Sequence, residues 1–171
     1  SGYLSFRPHC WINAPAESGK TDLRNTLLEL TGNFSLSFEG AESTPAGVRQ
    51  YLKGNAVPVL FDESEGKDNR RNLSNIQGHL DSATRGGVVL KGNVDGTGQS
   101  FPLRAGFMFF SVDNQLNRDS DLTRFIVLTL QKKTGPDVIP TLERIRTARA
   151  AMLAAVTPGK LIGRLLKEAS A

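Results

Sequence analysis

The sequence contains few of the residues that define several common protein classes. It has one cysteine, Cys10, so an internal disulfide is impossible and a reducing compartment suits the chain. Its two histidines, His9 and His79, lack cysteine or acidic partners at ligand spacing, so no histidine-based metal site is expected. No apolar run is long enough to cross a bilayer, and no secretory signal precedes the first apolar segment. These absences predict a cytoplasmic protein without a membrane partner.

Length and charge set further bounds on the chain. Its 171 residues fit one domain with a single core. The net charge of +4 is compatible with a polyanionic partner, although a solvated basic face is the commoner cause of such a charge. The chain starts with Ser1 and enters a strand pattern almost at once, so we expect it to be a domain of a longer protein. We expect residues 1–135 to form the core and residues 136–171 a C-terminal helical segment.

Strand and helix patterns alternate along most of the chain. Strand patterns lie at residues 9–13, 34–38, 57–61, 106–111 and 125–130. Helix patterns lie at residues 20–30, from 45 to a stop at 54, and at 68–83, 139–156 and 160–169. Between residues 88 and 104, two short stretches flank a glycine-rich turn, which indicates an inserted β-hairpin. The alternation predicts an α/β fold with a doubly wound, mostly parallel five-stranded sheet, a hairpin insertion and a small C-terminal helical part.

The most informative segment follows the first strand pattern and ends in Gly-Lys-Thr. A strand, a tight loop and a helix in this order are the layout of a P-loop NTPase. In such a loop, backbone N–H groups and the helix N-terminus hold phosphates, the lysine reaches the β- and γ-phosphates, and the threonine hydroxyl ligates Mg²⁺. Ala14 stands where the usual pattern begins with glycine, and because alanine is small we expect the loop to form. The predicted nucleotide-binding residues are Ala14, Pro15, Ala16, Glu17, Ser18, Gly19, Lys20, Thr21 and Asp22.

Two acids, Asp62 and Glu63, follow the third strand pattern. Metal-dependent nucleotide hydrolysis needs one carboxylate to hold Mg²⁺ or its waters, and another to orient or deprotonate the attacking water. Asp62 suits the metal role and Glu63 the role of the base. An acid pair after a strand can instead cap the next helix, but the phosphate-binding loop upstream favours the catalytic interpretation.

Two more polar positions lie near strand ends. After the fourth strand pattern, Asn114 is the first candidate, and Ser111 the second, for positioning the attacking water or sensing the γ-phosphate. An asparagine in a turn is otherwise commonplace. Arg124 precedes the last strand pattern, where a guanidinium can reach a neighbouring subunit's nucleotide and stabilise the transferring phosphoryl group. The alternative is a surface arginine paired with Asp119 or Asp121.

The loop, the acid pair, the polar strand end and the arginine, in this order, resemble the AAA+ superfamily of ring-forming P-loop ATPases. Residues 38–50 and 57–63, the hairpin, and residues 120–128 resemble more narrowly the helicase part of phage and plasmid primase-helicases, relatives of the superfamily III helicases. The resemblance spans about residues 9–132. It implies ATP and Mg²⁺ as cofactors, a hexameric ring, single-stranded DNA as a partner, missing primase or other flanking domains, and the cytoplasm of a bacterium or a phage-infected host.

The resemblance also implies roles for individual residues. The catalytic residues would be Lys20, Glu63, Asn114 and, acting in trans, Arg124, with Thr21 and Asp62 as metal ligands. A second sensor arginine is sought on the two C-terminal helix patterns, where Arg164 is the best candidate and a solvated helix face is the alternative; the arginines considered are Arg144, Arg146, Arg149 and Arg164.

The hairpin is the element that the resemblance assigns to DNA binding. Such hairpins usually present a basic or aromatic tip, whereas residues 93–97 here are Asn-Val-Asp-Gly-Thr. Lys91 at its base and Arg85 beside it are the candidate nucleic-acid contacts, and a purely structural hairpin is the alternative.

Two other functions stay open at this point. A protein-remodelling or assembly ATPase would account for the weakly basic hairpin tip. A small-molecule phosphotransferase would use the same phosphate-binding loop, but an outward-facing Arg124 and the lack of an obvious arginine-bearing lid argue against it.

Overall fold

A computed structural model describes residues 7–39, 44–62, 80, 83–85, 87–92, 98–112, 116, 119–160 and 167 of the chain. The strands are β1 (His9–Asn13), β2 (Leu36–Glu39), β3 (Val59–Asp62), β4 (Val88–Gly92), β5 (Gly98–Pro102), β6 (Phe107–Ser111) and β7 (Phe125–Thr129). The helices are α1 (Lys20–Thr31), α2 (Pro45–Leu52), the one-turn α3 (Asp119–Leu122) and α4 (Val138–Ala155).

Five of the strands form one sheet in the order β2-β3-β6-β1-β7, and each neighbouring pair is parallel. From β1 the chain crosses to the far edge at β2, returns through β3 and β6, and then passes over β1 to β7. The remaining strands, β4 and β5, pair antiparallel as a separate two-stranded sheet. The predictions of an α/β fold, a parallel five-stranded sheet and an inserted hairpin are confirmed.

One face of the sheet is covered by α2 and carries most of the aromatic core. The side chains on this face come from odd-numbered residues in β1, β3, β6 and β7 and from the even-numbered Leu36 and Phe38 in β2, as period-two alternation and the Leu36–Val59 register require. Trp11 stacks on Phe109 with ring centroids 5.1 Å apart, and Phe61 stacks on Phe109 at 5.5 Å. Val48 and Leu52 of α2 pack against these rings, so a short helix closes this side of the sheet.

The opposite face is covered by α1. Ile12, Leu60 and Phe110, from three adjacent strands, form the centre of this second core. The apolar side chains of α1 that pack on it are Leu23, Leu27 and Leu28. Cys10 is half-buried on the same face, and burial raises the pKa of its thiol. Helices on both faces of the sheet account for the continuous apolar runs in the central strands.

The edge of the sheet where the strands begin is closed by hydrogen bonds around His9, a fully buried residue. Its backbone N–H donates to the Arg124 carbonyl at 2.8 Å. Its Nε2 lies 3.2 Å from the Leu80 carbonyl and 3.0 Å from Thr84 Oγ1, and its Nδ1 accepts from the Phe107 N–H at 3.3 Å. The acceptor role of Nδ1 places the ring proton on Nε2. His9 therefore links three elements at this edge.

Several element boundaries follow from local chemistry. Thr44 caps α2 by accepting a hydrogen bond from the Gly47 N–H at 3.1 Å, as its position before a proline predicts. Predicted strand starts at residues 34 and 57 were two residues too early. Phe34 belongs to a 3₁₀ turn (Gly32–Phe34) that follows α1, and β3 starts after Pro58, which has no N–H to pair.

The helix predicted at residues 139–156 corresponds to α4, which lies beside α1 through an Arg149–Glu29 ion pair, whereas the helix predicted at residues 160–169 falls mostly outside the described residues. The helix predicted at residues 68–83 falls mostly outside the described residues, and its last part contributes Leu80 and Ala83 to the aromatic core. Arg164 also falls outside them. Among the described helices, none is both long and apolar enough to span a membrane.

Candidate functional site

The candidate site lies at the edge of the sheet where the parallel strands end. Asn13 of β1 and Ser111 of β6 are register partners. Asp62, the last residue of β3, pairs in register with Phe110, the residue before Ser111. The start of the loop after β1 is held against the end of β6, because the Ala14 N–H donates to the Ser111 carbonyl at 3.0 Å. Ligands of open α/β sheets bind at this edge, where neighbouring connections leave to opposite faces.

The replacement of glycine by Ala14 has a structural explanation. Among the described residues other than glycine, only Glu17 and Lys53 have a positive φ, so Ala14 does not need glycine's backbone freedom. Its side chain is fully buried beneath the loop. The backbone conformation at this position therefore accepts alanine.

The loop itself turns sharply before α1. Glu17 has φ 62° and Gly19 has φ 85°, both in the left-handed region. The Ser18 hydroxyl donates to the Pro15 carbonyl at 2.7 Å, which fixes the turn. Lys20 is the first residue of α1. The N–H groups of the first helical turn have no acceptor within the helix, so they are available to an anion at this edge.

The Lys20 and Thr21 side chains start the helix without internal partners. Lys20 is half-buried and Thr21 is exposed, and among the described residues neither side chain has a hydrogen bond or an ion pair. Asp22 is also exposed. An unpartnered ammonium and hydroxyl beside free N–H groups form a positively charged set of hydrogen-bond donors, which suits a phosphate.

Asp62 does have a partner, and it is one that the sequence patterns did not single out. Arg24 Nη1 lies 3.7 Å from Asp62 Oδ2, and Arg24 Nη2 donates to Ser37 Oγ at 2.5 Å. Leu60 packs on the α1 face, so Asp62, two residues on in the same strand, points to that face as well. Arg24 lies four residues after Lys20, so the two side chains share one face of α1, but this spacing alone does not link Arg24 to Asp62.

A second ion pair ties the loop to the segment after β7. Lys132 Nζ donates to Glu17 Oε2 at 2.5 Å, and both side chains are largely exposed. The hydrogen bond from Lys132, together with its charge, lowers the pKa of the Glu17 carboxyl. The acidic residue in the loop is thus turned outward onto a lysine.

Of the other polar residues considered near these strand ends, the structure describes Ser111 and Asn13. Ser111 accepts a hydrogen bond from Trp11 Nε1 at 2.7 Å and is buried, so its hydroxyl is part of the core contact. Asn13, which the sequence patterns missed, accepts a hydrogen bond from Thr129 Oγ1 at 2.8 Å. Glu63 and Asn114 lie outside the described residues.

Arg124 lies at the opposite edge of the sheet from Lys20. It precedes β7, and its carbonyl pairs with the first residue of β1. A strand of five residues spans about 16 Å, so that distance separates the Arg124 backbone from the loop after β1. The Arg124 backbone and the loop that carries Lys20 therefore lie at opposite ends of β1.

The hairpin is anchored at its base and exposed along β4. A Cβ on Gly54 would lie 2.8 Å from Pro102 Cγ, and the Arg49 guanidinium lies 6.0 Å from the centre of the Phe101 ring. Leu90 of β4 is 78% exposed. Arg85 is exposed beside the hairpin, whereas the tip and the Lys91 side chain lie outside the described part of the chain.

The sequence was compared with models of protein families and with curated proteins. No family model matches the chain, and no curated protein matches it either. Functional inference therefore depends on the residues and on the geometry of this edge.

Proposed function

We propose that this chain is a P-loop ATPase domain that binds ATP at the carboxyl edge of its sheet. One observation carries the proposal: the Gly-Lys-Thr loop and Asp62 end two strands of the same parallel sheet, with β6 between them. Neighbouring strands are about 4.8 Å apart, so roughly 10 Å separates the ends of β1 and β3. That spacing leaves room for a phosphate and a hydrated metal ion.

The donor set at this edge fits Mg²⁺. The Thr21 hydroxyl and the Asp62 carboxylate are oxygen ligands of the kind that Mg²⁺ prefers. A cationic group, the Arg24 guanidinium, already lies beside Asp62, which supports the suitability of this carboxylate for a cation. Bound Mg²⁺ would neutralise charge on the β- and γ-phosphates.

The chain's own residues divide the remaining work. Lys20 and the N–H groups at the start of α1 hold the phosphates, and the fixed left-handed turn at Gly19 keeps those groups oriented. Glu63 acts as the base toward the attacking water, and Asn114 orients that water.

Arg124 acts on a neighbouring subunit's ATP. The support is its position just before β7, about 16 Å from the loop of its own chain, which is compatible with a role at another copy's phosphate. This arrangement favours a ring-forming, AAA+-like ATPase with a hexameric assembly, and it disfavours a monomeric phosphotransferase.

The work coupled to hydrolysis is proposed to be translocation on single-stranded DNA, as in a phage- or plasmid-type replicative helicase. Arg85 is exposed beside the hairpin and is a candidate phosphate contact together with Lys91. The exposed apolar side chains of β4, Val88 and Leu90, favour the second candidate, a protein-remodelling ATPase, because they suit a protein surface better than a phosphate backbone.

ATP hydrolysis with and without single-stranded DNA tests the proposal on the longer protein. Stimulation by DNA supports the helicase, and DNA-independent hydrolysis supports the remodeller. Mixing the Lys20→Ala and Arg124→Ala variants tests the shared site. If Arg124 acts in trans, mixed rings contain interfaces with both residues intact and regain turnover, whereas a mixture as inactive as its components would rule out that role.

A further inference from the structure

Arg24 occupies an unusual position between α1 and two strands. Its side chain is 14% exposed, and it reaches Asp62 at the end of β3 and Ser37 on β2. Lys20, one helical turn earlier, belongs to the proposed phosphate site, whereas Arg24 faces the carboxylate proposed to hold the metal. One helix thus presents a separate cation to each half of the site.

The guanidinium is held incompletely. Its contact with Asp62, at 3.7 Å, is longer than a hydrogen bond, and within the described part of the chain only Ser37 accepts from it at short range. Its Nε is buried and has no hydrogen-bond partner among the described residues. A buried donor without an acceptor is costly, so this arrangement is less favourable for Arg24 than full pairing would be. Asp62 is 31% exposed and remains accessible to another cation.

Two cations cannot share one carboxylate without cost. A guanidinium beside Asp62 opposes the approach of a divalent ion through like-charge repulsion, most strongly where solvent is partly excluded. Ser37 offers Arg24 an acceptor that does not involve Asp62. The structure therefore contains both a competitor for the metal-binding carboxylate and a place for that competitor to remain.

We propose that Arg24 competes with Mg²⁺ for Asp62. When the metal binds with ATP, the Arg24 guanidinium must leave the Asp62 carboxylate and keep only its hydrogen bond to Ser37. This inference rests on the proposed function. It assigns a regulatory role to Arg24. This residue sets the Mg²⁺ concentration at which the metal occupies the site, and it keeps the Asp62 carboxylate beside a positive charge when nucleotide is absent.

The test measures binding of a fluorescent ATP analogue to the 171-residue chain at increasing free Mg²⁺. Arg24→Gln removes the charge but keeps a donor for Ser37, and it should lower the half-saturating Mg²⁺ concentration about three- to tenfold. Arg24→Lys keeps the charge and should stay within about twofold of the parent. Arg149→Gln, which removes the other arginine–carboxylate pair of α1, is the matched control and should not shift it.

Ser37→Ala supplies a prediction of opposite sign. Without the Ser37 acceptor the guanidinium depends on Asp62 alone, so the half-saturating Mg²⁺ concentration should rise. Thermal melts confirm that each variant is folded, and Ser37 is exposed enough to tolerate alanine.

The outcomes are distinct. An unchanged or raised Mg²⁺ requirement in Arg24→Gln overturns the inference, because a residue that merely supports Asp62 would weaken metal binding when removed. An equal shift in Arg149→Gln also overturns it, since the effect would then be one of net charge. If the parent binds no ATP analogue at any Mg²⁺ concentration, the proposed function fails, and this inference fails with it.

Discussion

The two edges of the same parallel sheet are built on opposite rules. At the edge where strands begin, His9 is fully buried and its ring contacts the Leu80 carbonyl, Thr84 and the Phe107 N–H. At the edge where strands end, Lys20 and Thr21 have no internal partner among the described residues. Both edges contain paired polar groups, but the carboxyl edge also presents Lys20 and Thr21, whose side chains have no hydrogen bond or ion pair among the described residues.

The difference separates stability from function. Buried polar groups with partners rigidify a core, and removing one partner leaves the others unsatisfied. Polar groups left without partners at a strand end contribute little to folding and are available to a ligand. Substitutions of the paired groups at the first edge should therefore change the free energy of unfolding, and substitutions of the unpartnered groups at the second edge should change nucleotide turnover.

Lys20→Ala should give the largest effect at the carboxyl edge. Loss of the ammonium proposed to contact the phosphates should reduce ATP turnover about 100-fold or more, by analogy with removal of one preorganised charge-stabilising donor. The melting temperature should be nearly unchanged, because the Lys20 side chain makes no hydrogen bond or ion pair among the described residues. Steady-state phosphate release and thermal melts measure the two quantities.

Lys160→Ala, at an exposed position of the C-terminal segment, is the control for Lys20→Ala and should leave both unchanged. A Lys20→Ala protein that hydrolyses ATP at the parental rate would contradict the assignment of the loop.

His9→Ala should give the largest effect at the amino edge. It removes a buried ring and its hydrogen bonds, and the free energy of unfolding should fall by about 3 kcal/mol. ATP affinity of the folded fraction should be kept, because His9 lies at the other end of β1. Urea unfolding and nucleotide titration measure both. Loss of affinity at full stability would show that the two edges are not independent.

The sequence predicted the fold well because its signals were local. The period-two pattern of residues 9–13, the proline after Thr44 and the glycine-rich turn between β4 and β5 each determine a nearby element. Strand starts were less predictable: the 3₁₀ turn at Gly32–Phe34 is set by hydrogen bonds that no apolar pattern encodes.

The candidate site was predicted less completely. Lys20 and Asp62 were identified because their motifs are short and continuous in sequence. Arg24 was missed because its partners, Ser37 and Asp62, come from two other elements and meet it only when the sheet order is known. For the same reason, sequence alone did not reveal that Trp11 engages the Ser111 hydroxyl.

Ser111→Ala tests whether a polar residue at the carboxyl edge can belong to the paired class. Loss of the hydroxyl leaves the buried Trp11 Nε1–H without this acceptor, so the free energy of unfolding should fall by about 1–2 kcal/mol. ATP turnover should stay within about twofold of the parent. Thr129→Ala, which removes an exposed hydroxyl at the same edge, is the control and should change neither. A large loss of turnover at unchanged stability would instead make Ser111 the γ-phosphate sensor.

The smallest effect is expected for the exposed Glu17–Lys132 pair, whose contribution depends on pH. The pKa of Glu17 is lowered in the folded chain, so the pair's stabilisation is present above the ordinary glutamate pKa of about 4.3 and is lost as pH falls through the folded value. At neutral pH, Lys132→Gln should melt on the order of 1 °C below the parent, since exposed pairs contribute little.

That difference should shrink below the ordinary glutamate range and with added salt, because protonation and screening both remove the attraction. Thermal melts of the two proteins between neutral and acidic pH measure it. Glu17→Gln also removes the pair, so the difference between its melting temperature and that of Lys132→Gln should not show this pH dependence. If Lys132→Gln instead weakens ATP binding while melting like the parent, Lys132 belongs with Lys20 among the ligand-directed groups. Groups that stabilise the fold and groups that bind the ligand would then not be separate at this edge, because Lys132 pairs with Glu17 of the loop.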